Sequence, residues 1–252
     1  MNGRRLVRSG LAALVVAAPL SAQPSKEWPI HSKERPQPAV ISPPPSVLPV
    51  KAPTGAIVLF DGTDLSKWLQ VKGESPAQWV VRDGYFEVKA GTGDLRTRDG
   101  FGDVELHVEW ASPTPARGAE QGRGNSGVYL MSKYELQVLD SWENPTYADG
   151  MAGSIYGQFP PLVNAARKPG EWQSYDIVFR GPRFDSSGTL LRPATMTVRF
   201  NGVLVQDNVT LSGPTGHYSR PPYAAHPDKL PILLQDHGDP VRYRNIWLRE
   251  LK

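Results

Sequence analysis

The sequence predicts an all-β protein, a two-layer antiparallel β-sandwich, on three observations. Short runs of alternating apolar and polar residues, separated by turn signals, recur from Thr54 to the end of the chain. No window carries a sustained apolar stripe at helical spacing. The 25 prolines and 24 glycines among 252 residues punctuate the backbone too often for long helices. Strands with one-sided alternation each own one apolar face, and a second sheet is what covers it.

The chain opens with Arg4, Arg5 and Arg8, an apolar run from Leu11 to Ala18, and Pro19-Leu20-Ser21-Ala22. This is the pattern of a secretory signal peptide over residues 1–22. Its apolar run is shorter than the roughly 20 residues a membrane span requires. A periplasmic or secreted protein is therefore expected, with no stable membrane insertion after signal cleavage. Lys and Arg number 28 against 25 Asp and Glu, and without the three leader arginines the balance is 25 against 25. Composition thus gives no basic surface for nucleic acid. The absence of cysteine excludes disulfide frameworks and thiolate metal sites. Residues 23–53 hold nine prolines without a helical or strand period, which predicts a semi-extended linker. The 199 residues from 54 to 252 suffice for one core and are expected to fold without that linker.

Within the domain, Asp83-Gly84 joins Trp79-Val80-Val81 to Tyr85-Phe86-Glu87-Val88. Asn201-Gly202 likewise joins the run ending at Phe200 to Val203-Leu204-Val205. Both are hairpin signals, because such pairs accept the positive φ angles of a type I′ turn. Further strands are expected over Val104 to Trp110, Gly127 to Met131, Tyr134 to Asp140, Trp172 to Phe179, Ile232 to Gln235 and Tyr243 to Leu251. Two long insertions interrupt this rhythm. Ser141 to Gly170 carries Trp142, Tyr147 and Tyr156, while Ser212 to Lys229 carries His217, Tyr218, Tyr223 and His226. Their aromatic content predicts ordered walls around a site, with His217 and His226 read as surface residues.

Chemistry concentrates on three strands. Alternation puts Glu135 and Gln137 on one face of their strand, opposite Tyr134, Leu136 and Val138, and a bulge at Leu139 would return Asp140 to the polar face. A second strand sets His107 and Glu109 opposite Leu106, Val108 and Trp110. A third places Gln235 and His237 together, with His237 just before Gly238 at a strand end. If these strands are neighbours, their carboxylate, amide and imidazole groups converge. Paired carboxyls on one sheet face are the machinery of glycoside hydrolysis. The Glu135 strand resembles the Glu-x-Asp-x-x-Glu strand of bacterial laminarinases and lichenases, but Gln137 and Asp140 replace its Asp and its acid Glu.

A closer resemblance is spread over several motifs in order. They are Val58-Leu59-Phe60-Asp61-Gly62-Thr63-Asp64-Leu65-Ser66-Lys67-Trp68, Gly124-Asn125-Ser126-Gly127-Val128-Tyr129-Leu130 and the Glu135 strand. Gly153-Ser154-Ile155-Tyr156-Gly157, Lys168-Pro169-Gly170-Glu171-Trp172, Leu234-Gln235-Asp236-His237-Gly238 and Arg244-Asn245-Ile246-Trp247 follow. In these the chain, from about Ala56 to Leu251, resembles the 3-keto-disaccharide hydrolase family. The resemblance implies a concanavalin A-like jelly roll, commonly exported, acting on a small carbohydrate or glycoside oxidised at C3. It implies a lyase or hydratase step through a 2-hydroxyglucal, together amounting to hydrolysis.

That chemistry suits the residues. A C3 ketone acidifies the C2 proton, so a modest base, an acid near the leaving oxygen and donors to the enolate suffice. Glu135, His237 and His107 are the expected catalytic groups. Gln137, Gln235, Glu109, Asp140, Tyr156, Arg244 and Asn125 are the expected substrate-binding residues. A divalent cation bridging the ketone and a hydroxyl is a second way to supply the donors, and Glu, Asp and His on one face would suit it. No phosphate-cradling loop, dinucleotide fingerprint or nucleophile elbow is present. The competing reading is a noncatalytic carbohydrate-binding module, in which Tyr156, Trp142 and Gln137 would hold a sugar.

Overall fold

A computed structural model describes residues 28–45 and 47–252 of the chain; the expected leader, residues 1–22, lies outside the described residues. Two type I′ turns fix hairpin registers as the sequence predicts. Asp83 and Gly84 have φ of 49° and 77°, and Asn201 and Gly202 have 52° and 82°.

The strands in chain order are β1 (Ala39–Val40), β2 (Ile57–Phe60), β3 (Trp68–Gln70), β4 (Val80–Arg82), β5 (Tyr85–Glu87) and β6 (Leu95–Thr97). Then come β7 (Val104–Ala111), β8 (Ser126–Leu130), β9 (Tyr134–Val138), β10 (Val163–Asn164) and β11 (Gln173–Arg180). The last are β12 (Arg183–Phe184), β13 (Leu190–Arg192), β14 (Thr195–Phe200), β15 (Val203–Thr210), β16 (Leu233–Leu234) and β17 (Arg242–Glu250). Helical structure among the described residues amounts to three short 3₁₀ turns.

A large sheet has the order β15-β14-β11-β7-β17-β5-β4, with β2 also paired to β17. A smaller sheet runs β3-β6-β16-β8-β9. Alternation decides what each contributes to the space between them. Leu106, Val108 and Trp110 of β7, Tyr175, Ile177 and Phe179 of β11, and Met196, Val198 and Phe200 of β14 enter the core from the large sheet. Val128 and Leu130 of β8 and Tyr134, Leu136 and Val138 of β9 enter it from the small one. This is the all-β sandwich the sequence predicts.

The proline-rich segment departs from the linker expectation. Its residues 39 and 40 pair in parallel with Val163 and Asn164. The Val50 N–H donates to Glu109 Oε1 (2.8 Å), and the Gln37 amide donates to Thr146 O (2.8 Å). Arg35 is only 8% exposed. A segment held by partners on the domain has no period of its own to betray it, which is why periodicity alone reads it as free.

Candidate active site

Glu135 and Gln137 project from β9 to the outer face of the small sheet, since Tyr134, Leu136 and Val138 fill the core. Both are nevertheless buried, at 3% and 1% exposure. The two insertions cover them. Residues of the first run beside β9: Gln137 N–H donates to Ser154 O (3.0 Å), Gly153 N–H to Gln137 O (3.1 Å) and Tyr156 N–H to Glu135 O (3.3 Å). These bonds close a strand edge that would otherwise be open. The second insertion is pinned at Thr215, whose hydroxyl accepts from Glu135 N–H (2.9 Å) and whose N–H donates to Lys133 O (2.8 Å).

On the other side of β9, Gly127 and Tyr129 of β8 stand opposite Gln137 and Glu135, and Gln235 N–H donates to Gly127 O (3.1 Å). The result is a cavity of about 230 Å³ lined by Gln121, Asn125, Tyr129, Glu135, Gln137, Tyr147, Tyr156, Thr215, His217, Gln235 and His237. Gly127 makes room for the carboxyl: a Cβ there would lie 2.7 Å from Glu135 Oε1 and 2.8 Å from Tyr129 Cε2. Gly127→Ala is therefore expected to displace Glu135 and lower turnover at least about tenfold, beyond the roughly 1–3 kcal/mol that overpacking costs in stability. Turnover per folded molecule is the measurement, and an unchanged value would show that the carboxyl position is immaterial.

The electrostatics centre on Glu135. Burial, aided by the nearby Asp94 charge and opposed by a hydrogen bond from Tyr129, pushes its carboxyl up to about 8. It is thus mostly protonated at neutral pH. Burial and the proximity of Glu135 push the Tyr129 hydroxyl upward as well, so it remains a donor. The Gln137 amide spans the site, with one end 3.0 Å from Gln121 Oε1 and the other 3.1 Å from Glu135 Oε1 and 3.0 Å from Ser126 O. With its nitrogen toward Glu135 and Ser126 it donates to both. Asn125 is fixed by its N–H to Asp239 Oδ2 (2.9 Å) and its side-chain amide to Gln121 O (2.7 Å). The Tyr147 and Tyr156 hydroxyls pair at 2.8 Å. His237, exposed, and His217 bring two imidazoles to the same cavity. The site can therefore hold a proton on a buried carboxyl, accept one on an imidazole and present several neutral donors.

Residues 55–249 match the family model of the 3-keto-α-glucoside-1,2-lyase-like domain. The chain belongs to that family. It is similar to a Bacteroides thetaiotaomicron protein named 3-keto-disaccharide hydrolase, 25% identical in an alignment 243 positions long that covers 81% of each protein. It is also similar to a solved structure from Parabacteroides distasonis described as a candidate glycosyl hydrolase. There the identity is 46% and the TM-score 0.78, over 86% of this chain and 93% of the other. A second structure from that organism, 23% identical with a TM-score of 0.56 over 78% of this chain and 99% of its own, shares the fold.

In this 3-keto-α-glucoside-1,2-lyase-like domain, Glu135, His237, Gln137, Gln235, Tyr156 and Asn125, among the expected site residues, line one cavity. His107, Glu109 and Arg244 do not join them, because β7 and β17 belong to the large sheet. His107 stacks on Trp247 (4.9 Å) and bonds Asp176 Oδ1 (2.6 Å) and, at 3.4 Å, Glu109 Oε1. Glu109 in turn accepts from Arg244 Nε (2.7 Å) and Asn245 Nδ2 (2.8 Å). These are outward groups of the large sheet, sealed beneath the N-terminal segment at Val50. Asp140 also lies outside the cavity. β9 ends at Val138 and Leu139 enters the core. Asp140 then pairs with Arg123 Nε (2.7 Å) and lines a different cavity, of about 290 Å³, that has no lining residue in common with the first.

Tyr129, Gln121, Tyr147, Thr215 and His217 were not singled out as site residues by the sequence. Tyr129 had a signal, since it shares the Gly127 face of its strand; the others are brought in by loop geometry. His226 is used elsewhere, 2.9 Å from the Tyr134 hydroxyl. Among the described residues, Glu135 is the one carboxyl group lining the cavity. Among the described residues no three His, Cys, Asp or Glu side chains gather to hold a metal ion. Of the donors foreseen for a divalent cation, Asp140, His107 and Glu109 lie elsewhere, while Glu135 and His237 line the cavity.

Proposed function

We propose that the protein cleaves 3-keto-glycosides by elimination across C1–C2 followed by hydration, in the cavity around Glu135. The observation that carries this reading is a buried carboxyl held protonated near neutral pH beside two imidazoles. The ketone at C3 acidifies the C2 proton, which His237 removes. The electron pair passes through the C3 enolate and expels the C1 oxygen, which takes the Glu135 proton as it leaves. A C1=C2 double bond conjugated to the ketone remains. Water then adds at C1 with the two groups in exchanged states: the Glu135 carboxylate takes the proton of water, and protonated His237 returns one to C2. The sum is hydrolysis, and both residues end as they began. The Tyr156 hydroxyl and Gln235 amide are the neutral donors available to the enolate oxygen. No oxocarbenium ion forms, so a second carboxyl is not needed.

The role of Glu135 sets the sign of the pH dependence. As the acid it acts only while protonated, so kcat/KM is expected to fall about tenfold per pH unit above pH 8. A kcat/KM that rises through pH 8 would instead make Glu135 the base. The reading as a whole is tested by incubation with a 3-keto-glycoside and mass spectrometry for the unsaturated 2-hydroxy-3-ketoglucal and for free 3-ketoglucose. Binding without either product would select the carbohydrate-binding module. The Trp142 ring foreseen for such a module is not among the cavity-lining residues and has the Lys168 ammonium 5.7 Å from its centroid.

A further inference from the structure

We propose that the N-terminal segment around His31 is the binding wall for the leaving group, and that it selects a ring with apolar faces, either a second sugar or an aryl group. This rests on the reading of the Glu135 cavity as the place where the C1 bond breaks. Beside that cavity lies a second, of about 580 Å³, lined among others by His31, Lys33, Tyr147, His217, Tyr218 and His237. The two share Gln121, Tyr147, His217 and His237. A group attached through the C1 oxygen at Glu135 thus has adjoining space, and that space is walled by rings.

His31 is held there against several local costs. Its φ of 60° lies in the left-handed region, unusual for a residue with a Cβ, and its N–H donates to Asp149 Oδ2 (3.1 Å). Its ring stacks on Tyr147 at 4.0 Å and meets Tyr156 and Tyr218, each at 5.0 Å, edge-on. Both ring nitrogens are buried without a hydrogen-bond partner among the described residues. Burial, with His217 and Arg220 acting in the same sense and Asp149 against, lowers its pKa, so the ring is neutral at pH 7 and offers one donor and one acceptor. Unpaired buried polar atoms on a strained residue are not what a passive spacer carries. They are what a wall carries when the hydroxyls it bonds come with the ligand. His31 lies before residue 55, where the family match begins, whereas Tyr147, His217 and Tyr218 lie within it.

The experiment compares the full chain with His31→Ala, His31→Phe and Tyr218→Ala. The substrates are methyl 3-keto-α-glucoside, a 3-keto-disaccharide and an aryl 3-keto-α-glucoside. The readout is kcat/KM of each ring-bearing substrate relative to the methyl glycoside. His31→Ala and Tyr218→Ala are expected to lower that ratio about tenfold, mainly through KM. His31→Phe is expected to keep the ratio for the aryl glycoside and lose it for the disaccharide, whose hydroxyls need the imidazole nitrogens. A fall confined to one ring-bearing substrate supports the wall and identifies its natural occupant. Unchanged ratios in both alanine variants overturn it while leaving the function of the cavity standing. A wild type that turns over none of the three glycosides removes both.

Discussion

Glu135→Gln and His237→Asn are each expected to cut turnover of a 3-keto-glycoside at least about a hundredfold with the fold intact. Glu135→Gln preserves size and much of the hydrogen bonding, His237→Asn keeps a hydrogen-bonding amide on a smaller side chain, and both remove the ability to transfer a proton. Stability does not confound the comparison at Glu135. A folded-state value of about 8 against 4.5 for an ordinary glutamate means that the folded protein holds the proton more tightly. The stability this supplies is fully present below about pH 4.5 and is lost as pH rises to about 8. The loss is of order 5 kcal/mol at about 1.4 kcal/mol per pH unit. Glutamine does not ionise, so Glu135→Gln is expected to be at least as stable as wild type at pH 7 and the more stable of the two above pH 8. Thermal melts across that range check this, and single-turnover assays check the chemistry. Near wild-type turnover in both variants would sink the assignment and leave His217 and Tyr156 as the next proton carriers in the cavity.

What the sequence made legible follows from which forces act locally. Hairpin registers were readable because Asp83-Gly84 and Asn201-Gly202 are among the few pairs that tolerate two consecutive positive φ angles. The outward aim of Glu135, Gln137, Gln235 and His237 was readable because the period of a strand is two. Which sheet a strand joins is not a local property. His107 and Glu109 carry the same alternation as Glu135 and Gln137, and pairing alone sends them to the other layer. Likewise no periodicity reveals that a proline-rich segment will pair with residues 163 and 164, or that His217 will face Glu135. Those placements are made by contacts between residues far apart in the chain.

The large-sheet cluster offers the clearest separation of stability from chemistry. Glu109→Ala is expected to destabilise the fold by about 3–5 kcal/mol, because removing one partner of a buried ion pair strands the others. Arg244 would lose its carboxylate and keep, among the described residues, the Trp172 ring 4.0 Å away. His107, Asn245 and the Val50 N–H would each lose an acceptor. For a domain of this size the loss corresponds to roughly 10 °C in Tm. The pH dependence carries the signature of the network. Burial works against both charges, but Asp176 and Glu109 hold the His107 pKa above its ordinary value, while His107, Asn245, Val50 and Arg244 hold Glu109 below its own. The His107 contribution is complete below about pH 6.5 and is lost as pH rises through its raised folded-state value. The Glu109 contribution is complete above about pH 4.5 and is lost as pH falls through its depressed one. The gap in Tm between wild type and Glu109→Ala is therefore expected to be widest near pH 5–6 and to narrow on either side, with turnover per folded molecule unchanged. A gap of a degree or two, flat with pH, would mean that the network contributes nothing net. A loss of turnover at full stability would return Glu109 to the chemistry.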